Sequence, residues 1–207
     1  AIIGAPNAGK STLTNALVGS KVAIVTPKVQ TTRMNVRGVA MAGETQIVFV
    51  DTPGIFKPKR RLDRAMVGAA WAGAEDADAI LLMVDAADFT SNEKGHGASD
   101  TIAILENLKG SKKKIALVLN TIADMKHTTL LPLVAPVSLV LANIISSVIV
   151  ELSPLVRDAL PTGGRAVISG ILVSEREHLL ASLAGDGWVL ESDLREGEWW
   201  SSVIARR

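Results

Sequence analysis

The sequence contains no cysteine among its 207 residues. This absence excludes disulfide bonds, thiolate-ligated metal centres, iron–sulfur clusters and a cysteine nucleophile, and it predicts a protein of the reducing cytoplasm. An excess of one charge sign is missing too, because 22 Lys and Arg against 21 Asp and Glu leave a net charge of +1. The charge balance therefore gives no global signal for nucleic-acid or membrane binding. Neither a signal peptide nor an internal repeat is recognisable.

The composition is that of a folded α/β chain. Hydrophobic residues make up 48% of the sequence and charged residues 21%, which is enough to bury a continuous core. Fully apolar runs, such as residues 79–84 and 115–119, alternate with stretches of helical spacing, as in a parallel sheet covered by helices. Antiparallel hairpins are predicted over residues 34–50 and 188–205. We therefore predict a three-layer α/β fold whose mostly parallel sheet ends in an antiparallel hairpin.

Helices are predicted where apolar residues recur at helical spacing, over residues 10–18, 61–73, 99–108, 146–160 and 174–184. Ser99 is a predicted N-cap, and Pro154 predicts a kink or a first-turn break in the fourth of these helices. Residues 129–150 carry no charge, a length that a membrane helix requires. Prolines and polar residues interrupt this run, so we expect no membrane insertion.

Lysine is distributed unevenly along the chain. Residues 1–135 hold 11 Lys, 5 Arg and 12 acidic residues, whereas residues 136–207 hold 6 Arg, no Lys and 9 acidic residues. An even scatter would put every lysine in the first part about once in a hundred sequences. The shift predicts two segments, 1–135 and 136–207, that form one continuous domain. A bias of surface composition alone is the alternative.

Residues 4–11 match the pattern G-x-x-x-x-G-K-[ST] between a predicted strand and a predicted helix. The glycines let main-chain N–H groups surround a phosphate at a helix N-terminus. Lys10 is placed to reach the β- and γ-phosphates, and the Ser11 hydroxyl is a ligand type for Mg²⁺. A glycine turn used only for packing is the alternative. We predict a phosphate loop that holds a nucleotide, phosphate or sulfate through Gly4, Asn7, Ala8, Gly9, Lys10, Ser11 and Thr12.

A second motif, Asp-Thr-Pro-Gly at residues 51–54, follows a predicted apolar strand. Asp51 is placed to hold Mg²⁺ through a water, and Gly54 is placed to contact a γ-phosphate. By itself such a sequence is more often a turn, but beside the first motif it favours a metal site. The sheet is therefore predicted to be Rossmann-like, of the P-loop kind.

Residues 1–135 resemble the GTPase domain of the Era family of bacterial ribosome-assembly GTPases. The resemblance rests on the phosphate loop at residues 4–12, on Gln-Thr-Thr-Arg at residues 30–33 as a first switch, and on residues 51–55 as a second switch. It implies a site for GTP or GDP with Mg²⁺. The RNA-binding domain of that family is not recognisable in this sequence.

The same resemblance implies roles for four further positions. Thr31 or Thr32, in our interpretation Thr32, closes on Mg²⁺ and the γ-phosphate. As in the Era family, Ile55 occupies the position where other GTPases carry a glutamine that orients the attacking water. The resemblance therefore implies slow hydrolysis, assisted by a monovalent cation held near Asn7.

The guanine-reading motif is altered. GTPases of this kind read guanine with Asn-Lys-x-Asp after a buried strand, but here Asn120 is followed by Thr121, Ile122 and Ala123. Asp124 lies one residue too far along the chain. Because a bidentate base contact is lost, we predict impaired base discrimination. Asn120 is then the one residue of the guanine-reading motif that is kept, in a degraded base site. We therefore expect other nucleoside triphosphates to compete with GTP.

Residues 139–145, 160–165, 168–172 and 197–199 resemble the C-terminal part of the PrmA-type ribosomal protein lysine methyltransferases. In that family the motif at Asn143 lies beside the S-adenosylmethionine and substrate pocket. The glycine-rich cofactor loop of the family is missing from this sequence. We therefore expect no S-adenosylmethionine binding, and methyl transfer is the weakest alternative.

Two partial resemblances that meet where the composition changes predict an engineered or recombined chimera of two Rossmann-like halves. A natural fusion would give the same sequence. The expected function is Mg²⁺-dependent binding of nucleoside triphosphates, with weak or no hydrolysis. A chimeric scaffold without activity is the main alternative. A homo-oligomer or an exchange of segments between protomers is compatible with either function.

Overall fold

The computed structural model describes residues 1–23, 32–85, 96–120 and 137–207. The chain divides into two compact units, the first holding the described residues up to 114 and the second those from 115 onward. The boundary expected between residues 135 and 136 lies outside the described residues and stays a prediction.

The first unit is a sheet of four strands with three helices. The strands lie in the order β2-β3-β1-β4, with β1 parallel to β3 and β4, and β2 antiparallel to β3. Gly43, with φ of 61°, opens the two-residue turn between β2 and β3. The elements are β1 (Ile2–Gly4), α1 (Lys10–Val18), β2 (Val36–Ala42), β3 (Thr45–Asp51), α2 (Arg61–Asp76), β4 (Ala79–Asp85) and α3 (His96–Leu108).

Local chemistry explains the ends of the helices beside the sheet. α1 ends at Val18 and is capped by Gly19, whose left-handed φ of 72° lets its N–H donate to the carbonyl oxygens of Asn15 and Ala16. α2 begins where the Asp63 carboxylate accepts the N–H of Arg60 at 2.8 Å. The first cap fixes the end of α1, and the second fixes the start of α2.

The second unit is a sheet of five strands with two α-helices. The strands lie in the order β5-β6-β7-β9-β8; β5, β6 and β7 are parallel, and β9 is antiparallel to β7 and β8. A 3₁₀ turn over Val173–Glu175 precedes the last helix. The elements are β5 (Lys114–Asn120), β6 (Leu139–Asn143), α4 (Ser146–Ala159), β7 (Arg165–Leu172), α5 (Arg176–Gly185), β8 (Trp188–Glu196) and β9 (Trp199–Arg206).

The second unit has its own core. Leu152, Ile171 and Leu179 are almost completely buried there. The buried indole N–H of Trp188 donates to Ser153 Oγ at 2.8 Å, so the polar tip of this side chain is satisfied. Parallel strands and a closing hairpin therefore confirm the predicted α/β fold class.

Three details differ from the expectations. Ser99 is not an N-cap, because α3 begins at His96 and Ser99 lies in its first turn. Pro154 lies inside α4, which continues past it to Ala159, so the helix is not broken there; the predicted kink stays a prediction. The last helix begins at Arg176, because the 3₁₀ turn takes up residues 173–175. In the described parts of the chain, no helix has both the length and the apolar composition to cross a bilayer.

Candidate functional site

The loop between β1 and α1 has the backbone of an anion cradle. Gly9, with φ of 96°, is left-handed and directly precedes α1, and Asn7 is left-handed as well, with φ of 63°. A Cβ on Gly4 would lie 2.2 Å from the carbonyl oxygen of Met83 in β4, so only glycine fits at the end of β1. Asn and Gly tolerate such backbone angles, and loops of this kind can direct successive N–H groups at a bound anion.

Lys10 lies at the base of this loop and is only 6% exposed. Its Nζ donates to the carbonyl oxygen of Ala5 at 2.8 Å, within the same loop. Burial lowers the pKa of Lys10 to about 8, against the raising effect of the Asp51 charge. The side chain is thus a desolvated cation beside the cradle, where a phosphate would supply the missing negative charge.

Ser11, Thr32 and Asp51 converge beside Lys10. The Ser11 hydroxyl donates to Asp51 Oδ2 at 2.7 Å, and the Thr32 hydroxyl donates to the same oxygen at 3.2 Å. The two hydroxyl oxygens lie 3.1 Å apart. Burial raises the pKa of Asp51, although the hydrogen bond from Ser11 and the charge of Lys10 lower it.

This oxygen cluster fits Mg²⁺. Asp51 is completely buried, and its Oδ1 has no hydrogen-bond partner among the described residues. A buried carboxylate oxygen without a partner is costly unless a cation or water meets it. Hydroxyl and carboxylate oxygens are the hard ligands that Mg²⁺ prefers, and this ion binds through few protein groups together with substrate phosphates. In the part of the chain that the structure describes, no cluster of three His, Asp or Glu side chains offers a rival metal site.

The second motif lies against the phosphate loop. A Cβ on Gly54 would lie 2.9 Å from the Cα of Pro6, so the main chains touch. The N–H of Ile55 donates to the carbonyl oxygen of Gly4 at 3.0 Å, and the Thr52 hydroxyl donates to that of Ile2 at 2.8 Å. The Ile55 side chain is buried and apolar, so it has no group to orient a water.

The remaining predicted site residues are placed as follows. Ala8 is buried in the loop, and Thr12 is exposed on α1. Thr31 lies outside the described residues, as do Thr121 to Asp124. Asn120 ends β5 in the second unit, and its place in a base site stays a prediction.

Sequence reasoning missed Asn15. Its amide oxygen accepts the N–H groups of Val22 and Ala23 at 2.9 and 2.8 Å, and its amide nitrogen donates to the carbonyl oxygen of Ala23 at 2.9 Å. This side chain ties the segment after α1 to the helix. A polar residue at a helical position without a motif gave no signal for that role.

Asn143, which the PrmA resemblance places beside a cofactor pocket, ends β6 in the second unit. Gly170 closely approaches Asn143, because a Cβ there would lie 2.4 Å from Asn143 Oδ1. The turn from β6 into α4 is Ile144-Ile145 and contains no glycine. The expectation that the chain binds no S-adenosylmethionine stays a prediction.

Comparison with protein families matches two overlapping stretches of the chain. Residues 1–121 match the 50S ribosome-binding GTPase family, and residues 62–207 match the family of ribosomal protein L11 methyltransferases, PrmA. Each match covers more than half of the chain. Both resemblances stated from the sequence are thereby confirmed.

Individual relatives cover the N-terminal part. GTPase Era of Mesorhizobium japonicum is 62% identical over 135 residues, which are 65% of this chain and 41% of that protein. GTPase Era of Caulobacter vibrioides is 58% identical over 138 residues, 63% of this chain and 44% of that protein. This chain thus spans less than half the length of these relatives.

Two crystal structures of Era share the fold of that part. Era in complex with MgGDPNP and 16S ribosomal RNA nucleotides is 41% identical, with a TM-score of 0.53 over 64% of this chain and 43% of that one. Aquifex aeolicus Era bound to GDP and AlF4⁻ is 42% identical, with a TM-score of 0.52 and the same coverage.

Proposed function

Because the chain belongs to the 50S ribosome-binding GTPase family through residues 1–121 and to the PrmA methyltransferase family through residues 62–207, we propose that it binds the phosphates of GTP or GDP with Mg²⁺. The observation that carries this proposal is the cluster of Ser11, Thr32 and Asp51 beside the phosphate loop. Within this cluster Asp51 Oδ1 is buried without a hydrogen-bond partner among the described residues, and a bound cation would stabilise it.

Each group of this chain has a role in that proposal. The loop N–H groups at the start of α1 bind phosphate oxygens, and Lys10 leaves the Ala5 carbonyl to pair with them. Ser11, Thr32 and Asp51 hold the metal ion, which neutralises phosphate charge and orients the phosphates when it is bound. Gly54 brings a main-chain N–H to the γ-phosphate.

Hydrolysis is weak or absent in this proposal. Ile55 is 6% exposed and apolar, and its N–H is engaged by Gly4. No side chain at this position can therefore orient an attacking water, which is the role of glutamine in other GTPases. Binding of the triphosphate without rapid turnover is what this arrangement supports.

Base discrimination is impaired in this proposal. The residues after Asn120 lack the lysine and the aspartate that read guanine in this family. Sites that pair with a polar edge of a substrate gain about 10⁴- to 10⁵-fold discrimination from those bonds. Without them we expect GTP and ATP to bind within about tenfold of each other.

Titration with fluorescent GTP, GDP and ATP, with and without Mg²⁺, tests the proposal. Lys10→Met should weaken triphosphate binding by roughly 10- to 100-fold, the effect of losing a charge-assisted hydrogen bond. Lys21→Met, at an exposed lysine of the same unit, is the matched control and should change affinity less than about twofold. Absence of binding at millimolar nucleotide would favour a recombined scaffold without activity over the nucleotide site.

We also propose that the chain is a chimera that joins parts of the two families. The support is that each family is matched over part of this chain, and that lysine is absent after residue 126. Limited proteolysis tests whether the predicted segments 1–135 and 136–207 fold as one domain. One cooperative loss of both segments is expected; independent survival of either one would contradict this expectation.

A further inference from the structure

A groove lies between α2 and α3 of the first unit. It holds a cavity of about 360 Å³, a volume within the roughly 300–1,000 Å³ range of ligand pockets. Val67 and Trp71 of α2 form one wall, and α3 contributes residues 100, 103, 104 and 107, which share one helix face. Residues 55–58, which follow the second motif, complete the lining. None of the groups proposed above to hold phosphates or Mg²⁺ lines this cavity.

The lining of the cavity is mostly apolar. Trp71 is neither buried nor fully exposed, so the cavity leaves part of this large aromatic side chain uncovered. Such a side chain gains most when another apolar group covers it. The apolar lining residues are Ile55, Phe56, Pro58, Val67, Trp71, Ala103 and Ile104. The occupant that fits this lining therefore carries at least one large apolar side chain.

Five exposed cations lie beside the cavity, at Lys57, Lys59, Arg60, Arg61 and Arg64. Asp63 is the only acidic residue among residues 57–64, so the local charge is +4. Its carboxylate accepts the N–H groups of Lys59 and Arg60 at 3.0 and 2.8 Å. Among the described residues, no salt bridge involves any of the five cations. They are therefore available to pair with an anionic partner.

The cations and the cavity share one face of α2. Arg60, Arg64, Val67 and Trp71 are spaced by four, three and four residues, which places them along one stripe of the helix. Lys57 lines the cavity itself, and its N–H donates to Asp100 Oδ1 at 3.2 Å. Because Asp100 puts negative charge on the α3 wall, acidic groups of an occupant belong on the α2 side.

We propose that this groove binds an amphipathic acidic helix of a partner protein. Its large apolar side chains enter the cavity, and its carboxylates pair with the cations of the α2 stripe. Both long walls are helices, so they offer no open strand edge to an extended peptide. A helix satisfies its own main chain and docks through side chains alone. The stripe from Arg60 to Trp71 spans about 16 Å, which matches about three turns of the partner helix.

A single-stranded nucleic acid is also anionic, but the lining favours a polypeptide. Successive bases bind on exposed aromatic rings along a charged groove. Here the aliphatic side chains of Ile55, Val67 and Ile104 contribute much of the cavity wall. A base edge buried against them would lose hydrogen bonds to water, whereas a leucine or phenylalanine side chain would lose none.

Fluorescence anisotropy of the full chain with a labelled peptide of twelve residues tests the proposal. The probe consists of Glu and Ala and carries one Phe and one Leu, four residues apart. One control peptide has Ala in place of Phe and Leu, and another has Gln in place of every Glu. We expect saturable binding of the probe below about 1 mM and at least tenfold weaker binding of each control. Equal binding by either control, or no binding of the probe, would overturn the proposal.

Two pairs of variants locate the binding site. Arg64→Glu reverses a charge on the groove face and should weaken binding about tenfold or more, whereas Arg37→Glu, at an exposed arginine of β2, should leave it within about twofold. Ala103→Gln enlarges an exposed side chain that lines the cavity, and Ala65→Gln does the same outside it on α2. Only the first of these two should weaken binding, by about tenfold. Equal loss within either pair would contradict the site.

Tryptophan fluorescence gives an independent readout. The probe contains no tryptophan, so covering of Trp71 should shift the emission of the protein to shorter wavelength. Trp71→Phe should abolish this shift, whereas Trp199→Phe, at a 57% exposed tryptophan of the second unit, should keep it. The opposite result would place the peptide on the second unit and refute the groove.

Competition with a uridine dodecanucleotide separates the two kinds of anionic partner. No displacement of the peptide, or displacement only well above the dissociation constant of the peptide, supports the acidic helix. Displacement below that constant would mean that the groove binds nucleic acid, and the proposed partner would be wrong.

Discussion

Replacing Lys10 by methionine should stabilise the empty protein while it weakens nucleotide binding. The two side chains have similar length and apolar stems, so packing is largely kept. What changes is the ammonium group of a residue that is only 6% exposed, and this group donates to the Ala5 carbonyl. In water the same group is fully hydrated.

The expected size follows from the pKa of Lys10. Burial lowers it from 10.5 to about 8, and about 2.5 pKa units at 1.36 kcal/mol each correspond to roughly 3 kcal/mol of cost for the charged form at neutral pH. Methionine removes this cost but leaves the Ala5 carbonyl without its donor, a loss of about 1–2 kcal/mol. The free energy of unfolding should therefore rise by about 1–2 kcal/mol.

Urea unfolding at pH 7 without nucleotide, for the unmodified chain and for Lys10→Met, measures this difference. The sign of its pH dependence is fixed as well. Between about pH 8 and pH 10.5 the unfolded chain binds more protons at Lys10 than the folded chain does, so the stability of the unmodified protein rises with pH. The advantage of the methionine variant should therefore shrink across that interval.

Two results would refute this reasoning. One is a methionine variant less stable than the unmodified protein, since Lys10 would then be held by contacts stronger than its desolvation. The other is an equal gain for Lys21→Met. That lysine is exposed, and its replacement should change stability by less than about 0.5 kcal/mol.

Three further outcomes are expected. Gly54→Ala should lower stability by about 1–3 kcal/mol and reduce nucleotide binding, because a Cβ there meets the main chain of the phosphate loop; Gly68→Ala, where a Cβ meets nothing, should raise stability by up to about 1 kcal/mol in urea unfolding. Hydrogen bonds from Trp200 and Arg176 lower the pKa of Asp193, so its carboxylate stabilises the fold above that pKa. Acid unfolding should therefore show that the stability difference between the unmodified chain and Asp193→Asn vanishes as the pH falls through this pKa. Removal of Mg²⁺ with EDTA should weaken triphosphate binding more than diphosphate binding in calorimetry; equal weakening would contradict a metal that contacts the γ-phosphate.

Sequence patterns predicted the parts of the fold that local chemistry determines. α1 runs over the predicted residues, because an apolar spacing begins after the loop glycine and ends at Gly19. Ser11 and Asp51 were proposed for the metal site from motifs and Thr32 from the family resemblance, and the structure brings the three side chains together. Motifs are informative here because each places a functional group at the end of a strand or at the start of a helix.

Features that depend on distant packing were not readable from the sequence. Asp51 Oδ1 has no hydrogen-bond partner among the described residues, because the hydroxyl groups of Ser11 and Thr32 both donate to Oδ2. Pro154 was expected to kink or break its helix, but α4 continues past it, with buried side chains on both sides of the proline.

The shared oxygen of Asp51 has a thermodynamic consequence. Asp51 Oδ2 accepts the hydroxyl groups of both Ser11 and Thr32, so it joins the start of α1 to the segment before β2. A metal ion bound at this carboxylate would restrain both segments at once. Linkage then requires reciprocity: whatever factor the metal ion contributes to phosphate affinity, the phosphate returns to the affinity for the metal ion.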